Sequence, residues 1–355
     1  MQKTGHSEER RRRATPEALA APDGTIAFGT FDEPFRRANI LDAKLYSFYV
    51  PSCWKVFRLK EWQHFGIITP SHYFGLVIFY AKFMGVSFFY VFDRQTRQMF
   101  EYELQKMGRK TILPEQTYEG AVEFSAAGYS IGIVNALDKG FHRIRIGIRG
   151  DARKPDIAAD LVIHEDLNRV EPLVQVSKIS PHRPLYTHKA AVPASGTVDL
   201  GARRIVLDPQ TAIALIDEQK TYYPYFSFWK WATGAGRTDQ GKILGFNVCQ
   251  TIMEDDADNN ENCFWIDGKI HYLKGARFEF GDYRDPWKMK TTDGRLDLTF
   301  EPAGERAQKV NIVGLIKSDF HQPLGLFNGR YIDPSGVVHP IKDVFGLAEH
   351  HVTRY

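Results

Sequence analysis

The sequence predicts an all-β fold made of antiparallel strands in two domains. Three observations support this: apolar and polar residues alternate with period two over many short runs, turn residues separate those runs, and convincing amphipathic helices are scarce. The chain has 355 residues, which at about 150 residues per domain suggests two domains. A single open sheet with so many strands would have to curl or split, and we therefore expect two sheets or two barrels.

The first half of the chain contains the clearest alternating strands. Residues 86–92 and 97–104 are predicted to form two strands joined by a tight turn. In residues 142–149 isoleucine alternates with arginine, so that the isoleucines share one face and the arginines the other. Such alternation is typical of a half-buried antiparallel strand.

The second half repeats this pattern with hairpin turns that are easier to recognise. Asp267–Gly268 and Asp293–Gly294 each lie between two strand-like runs, and Asp-Gly is a dipeptide that type I′ hairpin turns favour. Residues 330–336 begin a third hairpin. Residues 208–219 are ambiguous, because they start like a helix while residues 212–216 would serve equally well as a strand.

The domain boundaries are expected where the composition changes. Residues 1–25 are polar, basic and interrupted by proline and glycine, so we expect a basic tail without fixed structure. Proline and glycine are concentrated again at residues 180–196, between the two richest aromatic segments. We therefore place an N-terminal β domain at residues 26–190 and a C-terminal β domain at residues 191–355.

Charge and cysteine content exclude several functional classes. Lys and Arg number 46 and Asp and Glu 43, with both signs interspersed. The only dense basic run is Arg10–Arg13, which we interpret as a solvated tail rather than a nuclear-import or nucleic-acid signal, so no nucleic-acid partner is expected. The three cysteines form no CxxC pair, so the sequence predicts neither a disulfide framework nor a metal site.

No secretory or membrane-spanning segment is predicted. The basic N-terminal residues are not followed by an apolar stretch, unlike a secretory signal. Residues 63–81 carry no Asp, Glu, Lys or Arg, but they include His64, Thr69 and Pro70, so buried strands interrupted by a turn fit them better than a spanning helix. No Asn-x-Ser/Thr acceptor site occurs either, and we expect a cytoplasmic protein without a transmembrane segment.

The sequence nearly matches three familiar motifs, but each lacks a residue or a structural context that the chemistry of the motif requires. Residues 236–243 resemble a phosphate-binding loop, but Ile243 stands where Ser or Thr would hold magnesium. Residues 128–132 match GxSxG, but a hairpin is expected there rather than a strand-to-helix turn. Residues 256–267 begin like a calcium loop, but Glu261 replaces the required glycine. No cofactor is therefore expected.

Two clusters of polar and aromatic residues remain as candidate functional sites. One lies at residues 186–189, and the other runs from Asp217 to residue 231 and continues at residues 245–247 and 260–265. Aromatic walls with a few carboxylate, amide and ammonium groups have the composition of a ligand pocket. The alternative is a large aromatic core whose polar members satisfy backbone groups. The candidate ligand-binding residues are Lys189, Lys220, Tyr222, Tyr223, Trp229, Asn247, Asn262 and Trp265.

The same segments resemble the DUF2804 family of uncharacterised proteins. The recognisable stretches are residues 59–62, 186–189, 217–220 with 223–224, 228–234, 245–247, 260–262 with Trp265 and 267–268, 285–287 and 325–329. More remotely, the order of segments is similar to the carotenoid hydratase and AttH-like group. That similarity implies two tandem lipocalin- or calycin-like β domains, barrels or sandwiches, and reactions that hydrate or cyclise isoprenoid or polyketide-like substrates.

The hydratase resemblance implies a role for Asp217. In that group the corresponding aspartate donates a proton to a C=C bond, and an aromatic residue stands two positions earlier, where this chain has Leu215. Protonating an alkene needs a carboxylic acid kept neutral by apolar surroundings. Lys220 favours a structural ion pair with Asp217 instead. If Asp217 is the general acid, Glu261 or His188 would be its proton partner.

Three functional hypotheses remain. The first is a cofactor-independent enzyme, a lyase (hydratase) or isomerase (cyclase), acting on a lipid, isoprenoid or polyketide-like molecule. The second is a non-catalytic protein that binds a lipid or another apolar metabolite. The third is an interaction protein with an aromatic surface, which predicts that many of Trp54, Trp62 and Trp229 are exposed. The first two require the candidate polar residues to meet at one cavity.

Overall fold

The computed structural model describes residues 10–108, 113–253, 259–312 and 316–354. Strands make up 62% of the chain and helices 4%, which confirms the prediction of an all-β fold. The strands form two curled antiparallel sheets, one of thirteen strands and one of nine, consistent with two tandem β domains. None of the helices in these ranges has the length and apolar composition that a membrane-spanning helix requires.

The first sheet contains the first thirteen strands of the chain. They are β1 Gly29–Phe31, β2 Lys60–Ile68, β3 His72–Tyr80, β4 Met84–Asp93, β5 Met99–Met107, β6 Glu119–Ala126, β7 Tyr129–Ala136, β8 Phe141–Ile148, β9 Ile157–Ile163, β10 Leu173–Ser180, β11 Arg183–Leu200, β12 Arg203–Leu207 and β13 Ile213–Thr221. The main path of paired neighbours is β5-β4-β3-β2-β13-β11-β9-β8-β7-β6. Strands β10 and β12 also pair with β11, and β1 pairs with β10.

The second sheet contains the remaining strands. They are β14 Phe226–Arg237, β15 Ile243–Thr251, β16 Cys263–Ile266, β17 Lys269–Tyr272, β18 Ala276–Glu279, β19 Trp287–Thr291, β20 Leu296–Ile312, β21 Ile316–Ile332 and β22 Val338–Arg354. Their order is β17-β16-β15-β14-β22-β21-β20-β19-β18. Helical segments are short: α1 Ser52–Arg58, and single 3-10 turns at Ile40–Asp42 and Leu137–Lys139.

The strands predicted from alternation are present. The run at residues 86–92 falls within β4, and β5 begins two residues into the run at 97–104; the two strands pair with each other. In β8 the isoleucines are buried and Arg143 and Arg145 are exposed, as the alternation predicts. Asp267 and Gly268 both have positive φ between β16 and β17, the geometry that a type I′ turn needs.

The ambiguous segment at residues 208–219 is a turn followed by β13, so the strand interpretation is correct. The Asp208 side chain accepts the backbone N–H of Gln210, and the chain enters the sheet at Ile213. Strand β13 lies between β2 and β11, and all nine of its residues are buried. A strand buried on both sides has no solvent face, which explains why its sequence also resembled a buried helix.

The division expected between residues 190 and 191 falls inside the continuous strand β11. The two sheets separate later, between Thr221 at the end of β13 and Phe226 at the start of β14. Pro193 does not end the strand, because it lies where β11 stops pairing with β13 and begins pairing with β9. Gly196 has φ +126°, and a Cβ there would lie 2.1 Å from the Asp160 carbonyl oxygen, so this close strand pairing requires glycine.

The expectation of a tail without fixed structure does not hold for residues 10–25; residues 1–9 lie outside the described residues. Leu19 is fully buried in an apolar cluster with Phe35, and the Arg10 guanidinium donates to the Asn260 carbonyl at 2.8 Å. Arg12 forms an ion pair with Glu171 at 3.2 Å. The basic residues that suggested a solvated tail therefore bind other parts of the fold: Arg10 contacts a residue just before β16, and Arg12 contacts a residue just before β10.

The interior of each curled sheet is filled with side chains. In the first sheet, aliphatic and aromatic residues from β2 through β13 form one buried cluster that includes Phe74, Ile131 and Leu161. In the second, a similar cluster surrounds Phe246 and Trp287. A third apolar cluster contains residues of both sheets and forms the layer where they pack together.

Candidate functional site

The layer between the two sheets is closely packed. It contains Tyr73 and Leu215 from the first sheet and Trp231 and Leu347 from the second. At Gly245 in β15, an added Cβ would lie 2.7 Å from the Cβ of Ala191 in β11, so the backbones approach closely at this point. Into this apolar layer the sequence places a group of charged and amide side chains.

Lys189 and Asp217 lie at the centre of that group. They are opposite each other in β11 and β13, so both side chains leave the sheet on the same face. The Lys189 ammonium lies 3.2 Å from Asp217 Oδ1 and 3.2 Å from Glu261 Oε2. Burial alone would lower the pKa of Lys189, but the Asp217 and Glu261 carboxylates raise it, so the side chain is charged.

The second sheet supplies the rest of the Lys189 environment. Its ammonium donates to Asn247 Oδ1 at 3.3 Å and lies 4.8 Å from the centre of the Trp231 ring. Trp231 Nε1 donates to the same amide oxygen at 2.7 Å, and Asn247 Nδ2 donates to the Glu261 carbonyl at 2.7 Å. These contacts fix the orientation of the Asn247 amide.

Glu261 is held from the first sheet as well. Its Oε1 accepts the Thr187 hydroxyl, and Gln219 Nε2 lies 3.2 Å from both carboxylate oxygens. Thr187 and Gln219 are opposite each other in β11 and β13, two residues from Lys189 and Asp217, which places all four on one face. The structure thus brings together Asp217, Glu261, Lys189 and Asn247 from the predicted candidates.

His64 is a member of this group that the sequence reasoning missed. It is opposite Asp217 in β2, its ring meets the Trp231 ring edge to face at 5.7 Å, and it is only 5% exposed. Burial and the nearby Lys189 charge lower the pKa of His64 to about 3, so the imidazole is neutral. Neither ring nitrogen has a hydrogen-bond partner among the described residues. The sequence could have identified His64 as one of the few polar residues in the run at 63–81, which contains no Asp, Glu, Lys or Arg.

Glu349 is the second residue that was missed. It lies on β22 opposite Trp231, and its two oxygens accept Trp229 Nε1 at 2.6 Å and Gln322 Nε2 at 2.7 Å. Burial, with a smaller contribution from the Asp217 charge, raises the pKa of Glu349 to about 7, although the hydrogen bonds from Trp229 and Gln322 lower it. Strand alternation could have identified Glu349, because it lies on the same face of the last strand as the apolar residues Phe345 and Leu347.

A cleft of about 360 Å³ opens beside the group and is lined by Glu261 and Cys249. Most of its other lining residues are polar: Gln250, Thr251, Asn259, Asn260, Asn262 and Arg277. Its volume lies within the range typical of small-molecule sites. The polar lining differs from the apolar wall that the sequence predicted.

His188 and Lys220, by contrast, lie on the opposite face of the first sheet. The reason is the period of two: His188 is adjacent to Lys189, and Lys220 is three residues from Asp217, so each points the other way. The expected Asp217–Lys220 ion pair is therefore wrong. Lys220 Nζ lies 2.8 Å from Glu61 Oε1, and the Glu61 pKa is lowered because Lys220 and Lys82 outweigh the effect of burial.

His188 belongs to a separate buried network inside the first sheet. Its Nε2 lies 2.7 Å from Glu165 Oε1, and His142 Nε2 lies 2.8 Å from Glu165 Oε2. Burial would lower the pKa of His188, but Glu165 and Glu218 raise it to about 10. Burial would raise the pKa of Glu165, but the two histidines lower it to about 2. His188 is thus not placed to exchange protons with Asp217.

The remaining candidates occupy the edges of the layer or lie outside it. The Tyr223 ring stacks on Trp229 at 5.8 Å, next to Glu349. Tyr222 points away from the layer and its hydroxyl donates to the Lys55 carbonyl. Asn262 binds backbone groups of Cys249 and Lys274, and Trp265 Nε1 donates to the Glu171 carbonyl. The last three have the structural roles that the aromatic-core alternative predicted.

Solved structures with a similar fold exist. A crystal structure of CghA has a TM-score of 0.55 at 13% identity, covering 83% of this chain and 88% of that chain. CghA with Sch210972 has a TM-score of 0.58 at 13% identity, covering 96% of this chain and 97% of that chain. Kievitone hydratase from Nectria haematococca has a TM-score of 0.45 at 11% identity, with coverage of 83% and 88%. At such identities the CghA likeness shows the fold alone.

Sequence comparison gives the family. No curated protein matches this chain. The sequence profile of DUF2804, described as a domain of unknown function, matches residues 10–355. This match confirms the resemblance expected from the sequence, and it includes all the residues of the layer described above. The chain therefore belongs to the DUF2804 family.

Proposed function

We propose that the layer between the sheets is an acid–base site for a small molecule with an apolar body and a polar end. The reaction class is that of a cofactor-independent hydratase, cyclase or isomerase. The observation that carries the proposal is the contact of one buried ammonium, Lys189, with carboxylates from both sheets, next to Glu349, whose environment favours the protonated form. Acid–base sites typically combine an ionised carboxylate with a carboxylic acid that holds its proton.

The two kinds of carboxyl group have different roles in this proposal. The expected general acid was Asp217, but its contact with Lys189 suits a carboxylate that accepts a proton. Glu349 is better suited to donate one, because its pKa of about 7 keeps a proton available near neutral pH. Glu349 would protonate a C=C bond, and Asp217 would take the proton from an attacking water or from a neighbouring carbon of the substrate. Glu261 would position Lys189 between the two sheets.

Unsatisfied polar atoms support a ligand in this layer. Both nitrogens of His64 and the Oε1 atom of Gln219 are buried without a hydrogen-bond partner among the described residues. They lie on neighbouring strands on the same face as Asp217. A buried polar atom without a partner costs about 1–3 kcal/mol. A bound polar group or water would remove that cost.

The aromatic residues suit a cationic transition state. Trp231 already faces the Lys189 ammonium, and Trp229 with Tyr223 stands beside Glu349. Aromatic faces stabilise developing positive charge on a substrate carbon as they stabilise a cation. Trp231 thus provides an aromatic ring beside the site, although this chain has leucine at residue 215, where the hydratase pattern has an aromatic residue.

The experiment that tests the proposal is turnover of a panel of isoprenoid and polyketide-like alkenes, followed by mass spectrometry of the products. For any compound that reacts, we expect Asp217→Asn and Glu349→Gln each to lower kcat by about a hundredfold or more. Asp297→Asn, at an exposed carboxylate of the second sheet, is the matched control and should leave kcat unchanged. Full turnover in both site variants would contradict the assignment.

A non-catalytic role in binding a lipid or another apolar metabolite is the second candidate. The interiors of both sheets are filled by apolar clusters, so a carrier would also have to hold its ligand between the sheets or in the cleft. Native mass spectrometry of the purified protein distinguishes the two candidates. A ligand that stays bound and unchanged, with no product from any alkene, would favour the carrier.

A further inference from the structure

The strongly exposed aromatic side chains of the described residues lie in two short segments. Phe48 is 69% exposed, Tyr49 88%, Trp54 69% and Phe57 41%, and they belong to α1 and the loop before it. The others, Tyr225 and Phe226, follow β13. We call these six residues the aromatic patch. The aromatic surface expected for an interaction protein therefore includes Trp54, whereas Trp62 and Trp229 are only partly exposed.

Hydrogen bonds hold the two segments of the patch together. The Tyr222 hydroxyl donates to the Lys55 carbonyl at 3.0 Å, and its oxygen lies 2.9 Å from the Tyr46 hydroxyl. The Arg58 guanidinium donates to the Tyr223 carbonyl at 2.9 Å. These hydrogen bonds attach the exposed rings to the rest of the fold. A large group of exposed apolar side chains on a folded surface indicates an interaction site.

The charged residues within the first segment of the patch are all basic. Residues 43–58 contain Lys44, Lys55 and Arg58 but no Asp, Glu, Asn or Gln. Arg354 adds a further cation, with its guanidinium 5.9 Å from the centre of the Phe226 ring. A protein partner is usually recognised by directional hydrogen bonds as well, and this segment offers few polar side chains for them.

We propose that the aromatic patch docks this protein on an anionic phospholipid surface. Trp, Tyr and Phe side chains favour the boundary between headgroups and acyl chains, and Lys and Arg are attracted to acidic headgroups. The patch offers both in one place, and no membrane-spanning segment is required. The proposal does not depend on the catalytic role of the layer between the sheets.

Cosedimentation of the full chain with vesicles tests this directly. The probes are vesicles of phosphatidylcholine alone and of phosphatidylcholine mixed with phosphatidylserine. We expect binding to the mixed vesicles only, weakened by added salt. The triple variant Phe48→Ser, Tyr49→Ser, Trp54→Ser should bind at least about tenfold more weakly. Because these side chains are exposed, its unfolding midpoint should stay close to that of the wild type.

A matched control and a direct probe complete the test. The control triple variant Val206→Ser, Val337→Ser, Val338→Ser removes three exposed apolar side chains elsewhere and should bind like the wild type. A polarity-sensitive fluorophore on the exposed Cys53, next to Trp54, should shift to the blue when mixed vesicles are added. The proposal is wrong if the wild type ignores the mixed vesicles, binds both kinds equally, or binds no better than the patch variant.

Discussion

Lys189 and Asp217 are opposite each other in neighbouring strands, and their charged groups meet 3.2 Å apart in the layer between the two sheets. The same ammonium lies 3.2 Å from Glu261, just before the first short strand of the second sheet's β16–β17 hairpin. One buried cation therefore links carboxylates from both halves of the chain. Both the candidate chemistry and the cohesion of the two sheets depend on it.

Replacing Lys189 with Met should destabilise the protein strongly. The substitution leaves the Asp217 and Glu261 carboxylates buried without their cation, which costs about 3–5 kcal/mol in comparable buried pairs. Urea unfolding at neutral pH measures the change in the free energy of unfolding. Lys290→Met is the control, because Lys290 pairs with Asp297 in an exposed ion pair that contributes at most about 1 kcal/mol. Equal stability of the two variants would contradict the central role of Lys189.

Lys220 should be coupled energetically to Glu61 and not to Asp217. Lys220 lies 2.8 Å from Glu61 and on the opposite face of the sheet from Asp217. Double-mutant cycles with Lys220→Met check this by urea unfolding. We expect a coupling energy of about 1–3 kcal/mol with Glu61→Leu and near-additivity with Asp217→Asn. Strong coupling to Asp217 would restore the ion pair first expected from the sequence.

Glu349→Gln should change how stability depends on pH. Burial raises the pKa of Glu349 from 4.5 to about 7, so the folded state holds this proton more tightly than the unfolded state does. Wild-type stability should therefore fall relative to the variant as pH rises from about 4.5 to about 7, by about 3 kcal/mol in total. Urea unfolding of both proteins across this range gives the difference. A constant difference would mean that Glu349 has an ordinary pKa.

His188→Gln should show a pH dependence of the same sign, but at higher pH. The folded-state pKa of His188 is raised to about 10, so its charge stabilises the protein fully below pH 6.5 and progressively less above it. The advantage of the wild type over His188→Gln should shrink as pH rises from about 6.5 to about 10. The same measurement in a Glu165→Gln background should lose this dependence, because Glu165 is the main source of the shift. If the dependence persists there, another group causes it.

Much of the fold and part of the site could be predicted. Period-two alternation identified β8 and the β4–β5 pair, and composition selected Asp217, Lys189, Glu261 and Asn247 as polar residues in an apolar setting. Composition alone could not assign faces. It grouped Lys220 with Asp217, although an odd spacing in a strand places two side chains on opposite sides.

His64 and Glu349 were missed for a related reason. His64 shares its face of β2 with Trp62 and Ile68, and Glu349 shares its face of β22 with Phe345 and Leu347. The possible function of such a polar residue depends on the side chains that it faces in the folded protein. His64 faces Trp231 from the other sheet, and Glu349 receives a hydrogen bond from Trp229. Neither contact is recorded in the local sequence pattern.

The sequence by itself determined the class of fold, most of the strands and the residue types available for chemistry, because strand alternation and turn preferences are local properties. Only the tertiary structure decided which of those residues meet. Lys189 lies in the first sheet and Glu261, 72 positions later, just before β16 of the second, so their contact depends on how the sheets pack. Burial, and with it the pKa of Glu349, follows from the same packing and is not a property of any segment alone.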